Sequence, residues 1–424
     1  MPLPDTHDRR SADAAPPYSL QSASAALWPS TQHRLAESLV TELGRQAAAA
    51  DESGQLSSAT IDRLRRAGYF GLPVPALLQG GDAGLLECAA VQRRLATADP
   101  ALSIAANMHL FSVGMAVEHW LRHRDSCGLI LEAIATQHRI VASAFAEPGL
   151  GGALLRSTVE ARRTGGGYVV TGTKSPCSLA ACCDLVAFQM QARGEPSSLM
   201  TAFVPARLSG IRVEASWDAL GMRASGSDTL HFEECFVPDE LIFHRCDPDG
   251  EVDEVFAAGL VWFCVTTTAT YLGIVHHALE HVRSDLLCAR PTDVNGARGE
   301  LATVQSRLGE LVAGIVTIEA ACAGVAAQMD TRRHDPRQLV PIAIGIKHEA
   351  VDVCARAMEG LAELAGGKSY RREALLARLW RDVQAARFHP PARLVSRRAL
   401  GLSALGLPFS LDADRPSRDD RDRD

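Results

Sequence analysis

The segment Val255–Leu279 contains no Asp, Glu, Lys or Arg. As a helix it is long enough to cross the roughly 30 Å hydrocarbon core of a bilayer. Its polar content argues against lipid. Thr266, Thr267 and Thr268 stand together, and Tyr271, His276 and His277 follow. Such groups find hydrogen-bond partners inside protein, not among acyl chains. A helix enclosed on all sides by a large helical bundle is therefore expected, not a membrane span. A helix with no polar face needs several others around it, so this one segment demands a helix-rich domain.

The rest of the composition is compatible with that demand. The chain has 424 residues, 47% hydrophobic and 22% charged, enough for two or three domain-sized units. A net charge of −7 offers no general basic surface for nucleic acid. The 11 cysteines form no CxxC pair and no Cys/His cluster with zinc spacing, so no metal site is expected. Scattered cysteines in an odd number fit a reducing, cytoplasmic setting. The adjacent Cys182 and Cys183 read as small buried apolar residues. Residues 1–30 are polar and rich in Pro, Ser and Ala, which predicts a disordered leader. Residues 411–424 mix Arg with Asp and predict a charged, flexible tail.

Between those ends the periodicity changes twice. Residues 31–138 read as helices; Ile61, Leu64 and Ala67 share a helical face that Gly68 closes. Residues 139–245 read as short strands. Tyr168–Gly172, Leu185–Phe188 and Thr201–Pro205 alternate with turns such as Gly165-Gly166-Gly167. Residues 250–410 return to helix, with candidates at 252–289, 300–330, 337–365 and 372–386. Pro291 disfavours helix at Arg290 and so ends the first of these. Gly366-Gly367 ends the third. No GxGxxG or P-loop motif occurs. The expected fold class is α+β and multidomain: an N-terminal α-helical domain, a central small β-barrel-like domain and a C-terminal four-helix bundle.

Three motifs lie along this order. Phe145-Ala146-Glu147-Pro148-Gly149-Leu150-Gly151-Gly152 is a glycine-rich loop. Tyr168–Lys174, YVVTGTK, is a hairpin strand. Leu220–Thr229, LGMRASGSDT, is followed by Phe232 and by Val237-Pro238. Together they resemble the acyl-CoA dehydrogenase superfamily over residues 31–400. That resemblance implies FAD held between the β domain and the bundle, with a second subunit of a homodimer or homotetramer completing the site.

The resemblance also implies site residues. Phe145, Ala146, Gly151, Gly152, Cys177 and Ser178 fall at flavin-side positions, Ser178 where a hydroxyl meets flavin N5. Ala146 replaces a usual Thr, which removes one hydroxyl contact there. Arg290, Gln305, Glu363, Gly366 and Gly367 fall at positions that reach a neighbouring subunit's FAD. A Gln is usual where Glu363 stands, and a carboxylate beside a pyrophosphate is unfavourable. The family Trp that shields a flavin face is replaced by Pro176, which would open the flavin edge to solvent or O2.

The family's dehydrogenation needs a carboxylate base to take the proton α to a thioester carbonyl. Its usual position, eight residues after the Asp of Arg381-Asp382, holds Pro390. The alternative position on the first bundle helix holds Phe263, and Cys264 replaces the Arg that commonly follows. His389, one residue before the lost Glu, is the catalytic candidate. Some family members that act as flavin monooxygenases carry a His in this region. An imidazole beside two prolines also reads as a cap on a chain reversal.

Three readings follow. The first is an FAD-dependent oxidoreductase acting on the CH–CH group of an acyl thioester, on CoA or an acyl carrier protein, with a non-standard base. An electron-transfer flavoprotein would then take the electrons. The second is a flavin-dependent monooxygenase of a specialised small metabolite, using O2 and reduced flavin from a partner flavin reductase. The third is a non-catalytic family member.

Overall fold

The computed structural model describes residues 19–150, 155–192, 198–248, 250–290 and 296–411. Helices come first: α1 (Leu20–Leu27), α2 (Glu37–Ser53), α3 (Ser58–Arg66), α4 (Leu85–Ala98), α5 (Pro100–His123) and α6 (Cys127–Gln137). Strands follow: β1 (Val141–Ala144), β2 (Glu160–Thr164), β3 (Gly167–Cys177), β4 (Leu185–Ala192), β5 (Ser198–Pro205), β6 (Ile211–Glu214), β7 (Asp228–Pro238) and β8 (Ile242–Cys246). Helices close the chain: α7 (Glu254–Cys288), α8 (Ala302–Thr331), α9 (Pro336–Ala365), α10 (Leu375–Gln384) and α11 (Arg393–Ala404).

The enclosed helix is α7. Every residue from Val255 to Val275 is buried. Its neighbours are α4, α5, α8, α9 and α10. Asp253 starts it by accepting from the backbone N–H groups of Val255 and Phe256, both at 2.9 Å. Helix α5 approaches so closely that a Cβ on Gly114 would sit 2.4 Å from the Trp262 indole. Three helices, α5, α7 and α8, are long and apolar enough to cross a membrane. The apolar windows of α5 and α7 are 94% and 100% buried within the protein, and that of α8 is 44% buried.

The eight strands form one sheet in the order β6-β7-β3-β2-β4-β5-β8, with β1 on β4. One edge of β4 pairs with β5 along its length. The other edge is shared, β1 running parallel to Leu185–Phe188 and β2 parallel to Gln191-Ala192. This split carries the chain from α6 into the sheet beside α5. Phe188 and Phe232 stack at 4.4 Å in the sheet's core.

The N-terminal reading needs correction. Residues 1–18 lie outside the described residues, but Leu20–Leu27 is helix, not leader. Its anchor comes just after it. Trp28 is buried, its Nε1 donates to Glu319 at 3.3 Å, and Arg93 lies over its ring. Those partners are remote in sequence, so local composition gave no sign of them. At the other end Leu411 is buried, so the core reaches one residue into the stretch expected to be tail. Cys182 and Cys183 are only half-buried, and all eleven cysteines are free thiols.

A buried ion pair joins two of the sequence motifs. Lys174, from β3, bonds to Glu147, and neither side chain has any exposure. The carboxylate also accepts from the Ser157 hydroxyl at 2.6 Å and the Thr158 backbone N–H at 2.6 Å. Burial opposes both charges, and the mutual contact offsets that cost. The Lys174 ammonium is pulled down to about 8 by burial, while Lys174 and the hydroxyl donors hold Glu147 below the ordinary carboxylate range. Lys174→Met should therefore destabilise the fold by about 3–5 kcal/mol in urea unfolding, because it strands a buried carboxylate. Adding Glu147→Gln should recover much of that loss.

Candidate active site

A cavity of about 580 Å³ lies between the β domain, α5, α7 and the segment after α10. That is the size of a small-molecule or cofactor site. Its β-domain wall is built from Phe145, Ala146, Pro176, Ser178, Trp217 and Ser227. Its helical wall is built from Met108 and Phe111 of α5 and Phe256, Leu260 and Phe263 of α7. His389 and Pro390 close one side.

The β-domain wall offers hydroxyls in a chain. Ser178 Oγ lies 2.8 Å from Ser227 Oγ, which lies 2.8 Å from Ser225 Oγ. Two bulky residues hold left-handed backbone here: Met222 in the wall (φ 54°) and Leu179, next to the lining residue Ser178 (φ 65°). Such conformations persist only where the surroundings enforce them, and they mark functional turns. The LGMR loop is pinned from the bundle. Asp382 Oδ1 accepts from the Met222 N–H at 2.7 Å, and Arg381 donates to the Leu220 carbonyl at 2.9 Å. A Cβ on Gly221 would stand 2.3 Å from the Arg381 carbonyl, so only glycine fits there.

His389 is held by residues far from it in sequence. Its Nδ1 lies 2.8 Å from the Tyr271 hydroxyl and 3.0 Å from the Ala385 carbonyl. A carbonyl only accepts and a phenol can do either, so a proton on Nδ1 satisfies both contacts. Nε2 is then left as an acceptor. Burial, helped by the nearby Lys347 ammonium, pushes the imidazole down to about 4. Lys347 is itself buried and lowered to about 8, and it donates to the backbone carbonyls of His389 and Pro391. His389 is therefore a neutral, fixed imidazole at physiological pH.

The expected site residues fall in two groups. Phe145, Ala146, Ser178 and His389 line the cavity, and Cys177 is buried beside Ser178. Gly151 and Gly152 lie outside the described residues. Arg290, Gln305, Glu363 and Gly367 are exposed, and Gly366 is half-exposed, at the ends of α7, α8 and α9, away from this cavity. There Glu363 pairs with Arg307 at 3.0 Å. Gln305 donates to the Gly299 carbonyl at 3.0 Å. Both base positions, Pro390 and Phe263, do line the cavity.

The hydroxyl chain, the flat Trp217 and the adjoining apolar wall fit the ring of a flavin. Matching family descriptions agree. "Acyl-CoA dehydrogenase, N-terminal domain" covers residues 30–121, the middle domain 142–235 and the C-terminal domain 254–389. The chain belongs to the acyl-CoA dehydrogenase family. It is a flavoenzyme of that fold, an oxidoreductase by class. Isobutylamine N-hydroxylase of Streptomyces viridifaciens is 27% identical over 80% of this chain and 87% of its own. The solved structure of KijD3 in complex with FMN and dTDP-3-amino-2,3,6-trideoxy-4-keto-3-methyl-D-glucose is 25% identical, with a TM-score of 0.80 over 94% of this chain and 96% of that one. TdsC from Paenibacillus sp. A11-2, solved with FMN and indole, shares the fold at a TM-score of 0.79 and 21% identity, over 90% of this chain and 99% of that one.

Several residues at or behind the cavity wall had no local signal. Trp217 lies outside the three motifs, and its Nε1 donates to the Met222 carbonyl at 3.0 Å. It places an indole in the same cavity as Pro176. Tyr271 and Lys347 sit on α7 and α9 and meet His389 only through the fold. His244, Cys246 and Asp253 have ligand atoms within 4.8 Å of one another. The Asp253 cap and its 2.8 Å bond to His244 account for two of these residues.

Asp382 gives this region a pH signature. Burial, with Asp51 and Asp99 nearby, raises its carboxyl to about 7. Between the unfolded carboxylate value and 7 the folded state holds a proton that the unfolded state has lost. Stability therefore falls as pH rises through that window, and the loss is complete above 7. Asp382→Asn keeps the acceptor for Met222 without the charge. Relative to wild type, its unfolding free energy should gain about 2–4 kcal/mol between pH 5 and 8.

Proposed function

We propose that this chain is a flavin-dependent monooxygenase of a small metabolite, supplied with reduced flavin by a separate reductase. One observation carries the reading: among the described residues the cavity holds no carboxylate able to act as the family's base. Glu147 is the only acid in the described lining, and it is committed to Lys174, Ser157 and Thr158. The relatives that hydroxylate nitrogen support the same direction.

The overall balance is simple. One atom of O2 joins the substrate and the other leaves as water, with two electrons and two protons from reduced flavin, which leaves oxidised. The residues do the rest. Ser178, Ser225 and Ser227 would present their chain of hydroxyls to the flavin edge. Phe145, Trp217 and Phe263 keep water from the reacting region. His389 offers a neutral ring whose Nε2 accepts a hydrogen bond, while Tyr271, Ala385 and Lys347 fix its orientation. FAD, in place of a mononucleotide, would extend to Arg290, Gln305 and Gly366-Gly367 of a second copy, since those residues lie outside their own cavity. Glu363 would then be held off the pyrophosphate by Arg307.

Dehydrogenation of an acyl thioester is the second reading, because His389 Nε2 is left as an acceptor for a proton. An imidazole lowered to about 4 is a feeble base for that task. Carrier-protein and electron-transfer partners belong to this reading alone.

Anaerobic addition of acyl-CoA should leave the flavin spectrum of the reconstituted enzyme unbleached, and bleaching would favour dehydrogenation. With a flavin reductase, NADH and substrate, O2 uptake should accompany oxygenated product. His389→Ala should cut product formation by about 10²-fold while O2 uptake continues. In the Asp382→Asn variant, turnover should show no inflection near pH 6.5, because His389 stays neutral from neutrality down to about 4 and the carboxyl titrating at about 7 is gone. A step there would place a different titrating group in control.

A further inference from the structure

We infer that the substrate is an uncharged, largely apolar ring compound whose reacting heteroatom enters unprotonated. The inference names the substrate class for the proposed monooxygenase and rests on that reading for the word reacting. It rests on the cavity for the rest.

The argument begins with the charges. The described lining holds two charged side chains and one imidazole: Glu147, Arg381 and His389. Glu147 is fully buried against Lys174. Arg381 is bound to Asp51 at 2.6 Å and to the Leu220 carbonyl. His389 is neutral. An ammonium entering here would lose its water and meet no uncommitted carboxylate in the described lining, which costs far more than an apolar ligand incurs.

The helical wall supplies the positive side of the case. Phe111 stands edge-on to Phe263 at 5.1 Å and tilted to Phe145 at 5.6 Å. Phe263 in turn lies 6.4 Å from the His389 ring. Met108 and Met115 extend this cage along α5, and methionine adapts its shape to flat ligands. Three aromatic rings and two thioethers, with the neutral His389 ring and the Gln384 amide as polar groups near this wall, match a flat, uncharged ring with few hydrogen-bonding groups better than a flexible acyl chain.

The test uses a matched pair with the flavin-loaded enzyme at neutral pH. 1-Naphthylamine is uncharged there, and 1-naphthylmethylamine is an ammonium of nearly the same shape. Equilibrium dialysis should show 1-naphthylamine binding at least about tenfold tighter, with acyl-CoA failing to displace it. Phe111→Leu should keep that order, and Phe111→Glu should reverse it by placing a carboxylate in the cage. If Phe111→Glu does not fold, wild type and Phe111→Leu still decide. Equal or tighter binding of the ammonium by wild type overturns the inference. Preference for the neutral ring without oxygenated product under reductase-driven turnover leaves the substrate class standing and sinks the monooxygenase reading. Oxygenation of the ammonium in preference to the neutral amine does the opposite.

Discussion

The buried contact between Glu147 and Lys174 fixes the wall on which the site is built. It ties the AEPG loop to the third residue before Cys177 on β3, so Ala146 and Ser178 face the same space. The Ser175 N–H donates to the Ala146 carbonyl at 3.0 Å, which repeats the tie through backbone. Each charge would be expensive alone in this position. Together, with Ser157 and Thr158 completing the carboxylate's bonds, they leave a wall that is polar in its interior and nearly neutral toward the cavity. An acid that could have served as a base is thereby committed to structure.

The opposite wall follows from a different constraint. Helix α7 has no polar face, so its enclosure by α4, α5, α8, α9 and α10 is obligatory. Close approach then depends on Gly114 against Trp262 and on Gly259 against Met115, where a Cβ would come within 2.7 Å of the sulfur. The same apolar face that buys the bundle its core lines the cavity through Phe256, Leu260 and Phe263. Packing and ligand chemistry are thus set by one stretch of sequence.

Much of this was legible before any coordinates. The charge-free run announced α7, and the switch from helical to alternating periodicity marked the strands between α6 and α7. Proline at 390 and phenylalanine at 263 could be read as missing bases because the family resemblance assigns the base to those two positions, the first of them eight residues after Arg381-Asp382. What could not be read was anything made by tertiary contact. Helix α1 looks like leader until Trp28 meets Glu319 and Arg93. Trp217 belongs to no motif. The state of His389 depends on Tyr271, 118 positions away, and on Lys347, 42 positions away. Sequence alone therefore left His389 balanced between a chain-reversal cap and an active-site group.

The two descriptions of His389 turn out to be compatible. The carbonyls of His389 and Pro391 are indeed held in a chain reversal, and Lys347 is the group that holds them. Holding them buries an ammonium beside the imidazole, and that charge joins desolvation in keeping the ring unprotonated. The structural role thus produces the chemical one. A ring locked neutral, with Nδ1 engaged and Nε2 left to accept, is poorly suited to pulling a proton from carbon. It is well suited to orienting a neutral reactant beside the aromatic wall of the cavity. The loss of the glutamate is accordingly more than the deletion of a base. With Phe263 on one side and a Lys347-braced imidazole on the other, the remaining site favours chemistry in which the substrate gives up no α-proton.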